Sequence, residues 1–187
     1  MLIAMLLPNI ETRRLLIRQF AAEDAAAIAD YVTKPSVMTY IEGGAILPAN
    51  LGAWLIKQSG VDADQFAVVL KASNAVIGNL IFHDWFAAET YELGWVIAPE
   101  QQRQGYATEA AIAVMDYAFD HLGAHRLIAT CQPENAASWR VMEKMGMRRE
   151  GHFRACLKQE SGEWWDELFY ALLRDEHMHA VGRQDMK

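Results

Sequence analysis

Two periods of apolar positions run along the chain, one of two residues and one of three to four, and they predict strands and helices in a definite order. Residues 12–20 alternate in part, with Leu15, Ile17 and Gln19 on one side and Leu16 and Arg18 on the other, and predict a first strand. Residues 21–32 predict a helix, with Glu23 and Asp24 near its start and Ala25, Ile28, Ala29 and Val32 on one stripe. Lys34-Pro35 stops it, and residues 39–48 predict a loop around Gly43-Gly44. Leu51, Trp54, Leu55 and Gln58 place a second helix over 49–59. Two apolar runs, 65–71 and 76–85, flank the turn residues Ser73-Asn74 and predict an antiparallel hairpin. Gly78 inside the second run predicts a bulge or a close approach of another backbone. A fourth strand covers 91–97 and is closed by Pro99.

The clearest periodic segment follows, over 105–122. Ala107, Ala110, Ala111, Val114, Met115, Ala118, Phe119 and Leu122 recur at helical spacing, so one face packs on a sheet. Gly123 ends this helix, and 125–131 predict a fifth strand. Asn135 caps a short helix through Met145, which Gly146 stops. Residues 147–153 and 164–173 are the last two strands, and the charged tail from Arg174 is expected to fray. No repeat, low-complexity tract or linker divides the chain, so a single domain over 1–187 is expected.

Composition narrows the function classes. Of the 187 residues 52 % are apolar and 22 % charged, the profile of an ordinary globular chain. A formal net charge of -7 argues against binding nucleic acid by phosphate neutralisation, and it suits cationic substrates such as amines or basic peptides. No apolar run is long enough to span a bilayer, and the short apolar start lacks the basic region and cleavage site of a signal peptide. Two cysteines, Cys131 and Cys156, make no disulfide framework; buried structural thiols in a reducing, cytoplasmic compartment are expected. His177 and His179 lie in the tail with no third ligand arranged around them, so no metal site is expected.

Between the fourth strand and the long helix lies Gln102-Arg103-Gln104-Gly105-Tyr106-Ala107-Thr108-Glu109. A strand, a Gly-containing turn and a helix N-terminus together make an anion site. The first helical N–H groups have no partner within the helix, and the macrodipole favours negative charge there. Gly105 has no Cβ to keep a ligand off the backbone, and Arg103 brings a fixed positive charge. The three-glycine dinucleotide fingerprint and the Gly-Lys-Ser/Thr of a P-loop are both missing. Gln102, Gly105 and Ala107 instead resemble the acetyl-CoA-binding motif Gln/Arg-x-x-Gly-x-Gly/Ala of the GNAT superfamily of N-acetyltransferases. The resemblance extends over about 11–173 in family order. Pro133 to Ser138 with Met142 to Met147 resembles the family's fifth-strand exit and the helix after it. Glu11 to Arg18, Glu150-Gly151 and Trp165 to Tyr170 are similar to the branch that acetylates ribosomal-protein N-termini at Ser or Ala.

The resemblance implies a mixed, mostly antiparallel α/β (α+β) sheet of about seven strands flanked by helices. It implies acetyl-CoA as co-substrate and direct transfer of acetyl to a primary amine within a ternary complex. The backbone of Arg103, Gln104, Gly105, Tyr106, Ala107 and Thr108 would hold the pyrophosphate, with Gln102 ahead of it. The edge at Trp95, Val96 and Ile97 would pair with the pantetheine amides, where the family's fourth and fifth strands splay. Asn135 would reach the pantetheine arm and Ser138 would protonate the departing thiolate. The tyrosine that many members use as this acid is missing, because Arg140 and Val141 stand at its positions. Glu92 is the candidate base: a carboxylate within an apolar strand costs energy unless it is paired or faces a cavity. Asn135 as a plain helix cap and Glu92 as a structural carboxylate are the competing readings. Glu160 and Glu167 are weaker candidates for the base, His83 could line the acceptor mouth but reads as a structural strand-end residue, and Trp54, Trp85, Trp164 and Trp165 read as core packing more than as pocket walls. The favoured acceptor is a protein N-terminus. A polyamine, an amino acid or an antibiotic remains open, as do a non-catalytic CoA-binding module and the choice between monomer and homodimer.

Overall fold

A computed structural model of the chain describes residues 7–41 and 43–184. The fold is α/β, with eight strands in one mixed, mostly antiparallel sheet and helices flanking it. It divides into two compact units, Met1–His83 with Gly94–Val114 and Asp84–Leu93 with Met115–Lys187.

The first unit begins with an antiparallel series. Strand β1 (Ile10–Glu11) pairs with β2 (Leu15–Arg18), β2 with β3 (Gln65–Leu70), and β3 with β4 (Ala75–Asp84). The sequence predicts β2 with ragged ends but misses β1, whose two residues are too few to show a period. Strand β3 is buried on both faces, as its unbroken run Phe66-Ala67-Val68-Val69 requires. On one face lie helices α1 (Ala25–Val32), α2 (Pro35–Met38) and α3 (Leu51–Gln58). Their buried Ile28, Tyr31, Val32, Met38 and Leu55 form a core cluster with Ala67, Val69 and Val96. Helix α2 falls within the stretch read as a stop, because Pro35 occupies its first turn, where the missing N–H costs nothing.

The hairpin of β3 and β4 has the predicted turn, with Asn74 in the left-handed region. Both expectations for Gly78 hold. The register passes from Val68–Gly78 to Val69–Val76, so Ile77 is an extra residue. A Cβ built on Gly78 would lie 2.2 Å from the carbonyl oxygen of Val96, on β5 (Thr90–Ile97).

Ahead of α1, Asp24 is buried and takes a two-pronged pair from Arg18 at 2.7 and 2.9 Å, plus the Ala21 N–H at 2.8 Å. Burial alone would raise its carboxyl's pKa. The Arg18 and Ala21 hydrogen bonds and the Arg18 charge outweigh this and hold it below the ordinary value. Because the folded value is depressed, Asp24 adds stability above its unfolded pKa of ~3.9, and this is lost as pH falls through the folded value. Asp24→Asn is therefore expected to cost roughly 2 kcal/mol at pH 7. Urea titrations at pH 7 and pH 3 should show the gap between parent and variant shrinking at the lower pH.

In the second unit β5 pairs in parallel with β6 (Arg126–Cys131), from Thr90–Arg126 to Glu92–Ile128. Strand β8 (Trp164–Leu173) pairs antiparallel with both β6 and β7 (Arg148–Lys158). The helix predicted over 105–122 is α4 (Tyr106–Asp120), and its buried stripe from Ala110 to Phe119 follows the predicted period. The short helix capped by Asn135 is α5 (Ala136–Lys144).

Three expectations are corrected in this unit. The tail does not fray at Arg174 but forms α6 (Arg174–Gln184). Glu176 accepts the Leu173 N–H at 3.0 Å, and His177 is buried with its ring stacked 4.8 Å from that of Phe119. Cys156 is exposed rather than buried, because β7 presents nearly all of its residues to solvent; Cys131 is buried as expected. Trp164 is exposed as well and does not serve the core, whereas Trp54 packs against Phe20 and Trp85 against Phe169. Among the described residues, no helix is long and apolar enough to cross a membrane.

Candidate functional site

The turn ahead of α4 is exposed from Gln102 to Gly105, and its backbone changes hand along its length. Gln102 is extended, Arg103 has φ of 61° and Gly105 has φ of 82°. Such changes aim successive N–H groups into one concavity, the geometry of a backbone anion nest. Among the described residues, none accepts a hydrogen bond from the N–H groups of Arg103 through Thr108. These six donors lie in and just ahead of the first turn of a fifteen-residue helix, at the positive end of its dipole, a setting that suits an anion.

The turn is braced from behind. The Gln102 side chain donates to the Ile97 carbonyl at 3.0 Å, which makes it a tie between strand and turn. On the other flank Arg14, in the bend between β1 and β2, donates to the Gln104 carbonyl at 3.0 Å and to Glu109 at 2.6 Å. Its guanidinium lies 4.4 Å from the centre of the Tyr106 ring. Glu109 also accepts from the Thr12 hydroxyl at 2.6 Å and the Arg14 N–H at 3.0 Å. Burial would raise the pKa of the Glu109 carboxyl, but these bonds and the Arg14 charge hold it down, so it stays ionised.

Strand β5 leads into this turn. The Ala98 N–H donates to Ile77 of β4 at 2.9 Å, and the Val96 carbonyl faces Gly78. Strand alternation then turns the main-chain groups of Trp95 and Ile97 to the opposite edge. Of the three residues named for pairing with an extended ligand, Trp95 is the one with both groups on that edge and clear of the Gln102 tie, whereas Val96 faces β4.

In the second unit Glu92 is half-buried on β5, in register with Ile128. Asn135 caps α5, its side-chain oxygen accepting from the Ser138 N–H at 3.3 Å. The cap uses only the oxygen, and among the described residues nothing accepts from the amide nitrogen. Ser138 is half-buried beside Cys131. Burial pushes the Cys131 thiol up to about 11 against the partial relief of the Ser138 hydroxyl, so it stays protonated and unreactive. The other candidates disperse. His177 belongs to the packing of α4 and α6, and Glu160 lies exposed beyond the end of β7. Among the described residues, no group of three or more His, Cys, Asp or Glu side chains could hold a metal ion.

Sequence reasoning missed Arg14, Thr12 and Glu109 as parts of the turn. Glu109 stands in the motif itself, and an acidic residue in a first helical turn was a signal. Nothing in the sequence pointed to its cation, 95 residues away.

An open, Gly-containing turn between a strand and the longest described helix, on a mixed sheet flanked by helices, is the arrangement of an acetyltransferase fold. The chain matches the acetyltransferase (GNAT) domain family over residues 14–148, and it belongs to that family as an N-acetyltransferase. It is 45 % identical over 168 residues to the uncharacterized N-acetyltransferase YnaD of Bacillus subtilis (strain 168), covering 90 % of this chain and 98 % of YnaD. The crystal structure of a GNAT-family acetyltransferase from Bacillus anthracis superposes with a TM-score of 0.86 at 44 % identity, covering 90 % of this chain and all of that one. A shorter match, 29 % identical over 111 residues, is to the [ribosomal protein uS5]-alanine N-acetyltransferase of Escherichia coli (strain K12). It covers 59 % of this chain and 53 % of that protein.

Proposed function

We propose that the chain binds acetyl-CoA at the 103–108 turn and transfers the acetyl group to a protein N-terminal α-amine of the ribosomal-protein type. The observation that carries the reading is the set of backbone N–H groups, from Arg103 to Thr108, that no described residue satisfies. The Trp95 edge would hold the amides of the pantetheine arm. Acetyl-CoA supplies an acyl group activated as a thioester. The amine nitrogen bonds to the acetyl carbon, the carbon–sulfur bond breaks, and one proton must leave the amine while another reaches the thiolate.

Glu92 takes the first proton through water, and the Ser138 hydroxyl gives the second. The acceptor sets how much this assistance matters. An α-amine of pKa ~8 costs about 1.4 kcal/mol to deprotonate at pH 7, against about 4.6 kcal/mol for a lysine of pKa ~10.4. Glu92→Gln and Ser138→Ala should each lower kcat by about ten- to a hundredfold with CoA affinity unchanged. Steady-state kinetics beside a CoA titration would show it. Parent-like turnover in both variants would remove them from the mechanism.

The acceptor reading is supported by the resemblance of Glu11 to Arg18 and by the partial match to an enzyme that acetylates a ribosomal-protein alanine. Peptides with free Ser or Ala N-termini, incubated with protein and acetyl-CoA beside N-blocked lysine peptides, test it by mass spectrometry. A single acetyl gain confined to the free N-termini is expected. No gain on any peptide would move the assignment to small cationic amines, which the net charge of -7 also suits.

A further inference from the structure

We propose that Arg14 is the positioning residue of the diphosphate turn, holding the Gly105 N–H toward the ligand from behind. The inference rests on the acetyl-CoA reading above. A trans peptide bond is planar, and its C=O and N–H point in opposite directions. The bond between Gln104 and Gly105 is trans, and the Arg14 guanidinium binds its carbonyl at 3.0 Å. The Gly105 N–H at the other side of the same plane is thereby turned away from Arg14, and no described residue accepts from it. Left alone, this peptide could rotate and present its carbonyl to the diphosphate, which would repel it. A turn with left-handed residues at 103 and 105 is a segment where such a flip is a local motion.

Three more contacts fix the guanidinium itself. Glu109 receives its Nε, the Tyr106 ring lies against its face, and Thr12 locks the carboxylate from the far side. Arg14 also cancels the Glu109 charge in the first turn of α4, where an unpaired carboxylate would compete with an anionic ligand for the same helix end. A lysine would keep the charge but lose the fork that reaches a carbonyl and a carboxylate at once.

The test compares CoA with pantetheine, which lacks the diphosphate, by NMR titration of the labelled protein. Parent, Arg14→Gln, Arg14→Lys and the adjacent exposed control Arg13→Gln are measured together. In the parent, CoA is expected to bind tighter than pantetheine and to shift the Gly105 amide resonance. Arg14→Gln should weaken CoA about tenfold, leave pantetheine unchanged and abolish that shift, with the remaining spectrum still folded. Arg13→Gln should behave as the parent, and Arg14→Lys should fail to restore the preference. If Arg14→Gln keeps the parent's preference for CoA, or Arg14→Lys restores it fully, the positioning role is overturned while the turn reading stands. If the parent itself binds CoA no better than pantetheine, the turn reading fails first and takes this inference with it.

Discussion

Gly105→Glu is expected to lower CoA affinity about thirtyfold while the protein stays folded. A Cβ at this position points to the Arg14 guanidinium, so the new carboxylate would draw Arg14 from the Gln104 carbonyl and Glu109 and would add a negative charge beside the N-terminus of α4. Two unit charges about 8 Å apart repel by about 2 kcal/mol at an effective dielectric constant of ~20, which corresponds to about one and a half decades of affinity. The backbone contributes separately. Gly105 has φ of 82°, where any other residue costs about 1 kcal/mol. Gly105→Ala carries that cost without the charge, and its Cβ would meet only the Arg14 guanidinium at 3.5 Å. Calorimetric titration of the parent and both variants separates the terms. A glutamate variant that binds CoA as the parent does would remove the turn from the assignment.

Among the described glycines, Gly78→Ala should produce the largest loss of stability. The new carbon would sit 2.2 Å from the Val96 carbonyl oxygen and 3.0 Å from the Ile97 Cα. Both are backbone atoms of β5, so no rotamer change relieves the contact, and β4 must move. Overpacking of this kind costs about 3 kcal/mol. For a chain of this size that is a fall in Tm of roughly 6–12 °C. The displaced residues, Val96 and Ile97, flank the turn, so CoA affinity should fall together with Tm. Unchanged melting would mean that the close approach of β4 and β5 is not maintained in solution.

Much of this was legible because the signals are local. Helix α4 was visible in its apolar period, the hairpin in Ser73-Asn74, the α5 cap in Asn135 and the turn in Gly105. Each depends on residues within one or two turns of one another, and the side-chain period and the steric demands of glycine act at that range. The misreadings have the opposite character. Tail residues 174–184 looked merely charged, because the contact that helps order them, His177 stacked on Phe119, is made to a residue far away in the chain. Cys156 looked like a core residue by type, but burial is decided by where a strand falls in the sheet, and β7 is exposed along nearly its whole length. The tie from the Gln102 side chain to the Ile97 carbonyl was likewise not legible, because it depends on how the turn folds back on β5.

The sequence by itself determined the order of most elements, the Gly-containing turn before the long helix and the family to which the chain belongs. All three are carried by residue type and short spacing. Tertiary structure alone decided which side chains hold the turn in shape. The bond from Arg14 to Glu109 joins positions 95 residues apart, and the contact of Gly78 with Val96 joins two strands. Interactions of that range depend on the direction of atoms in space, so no period along the chain records them.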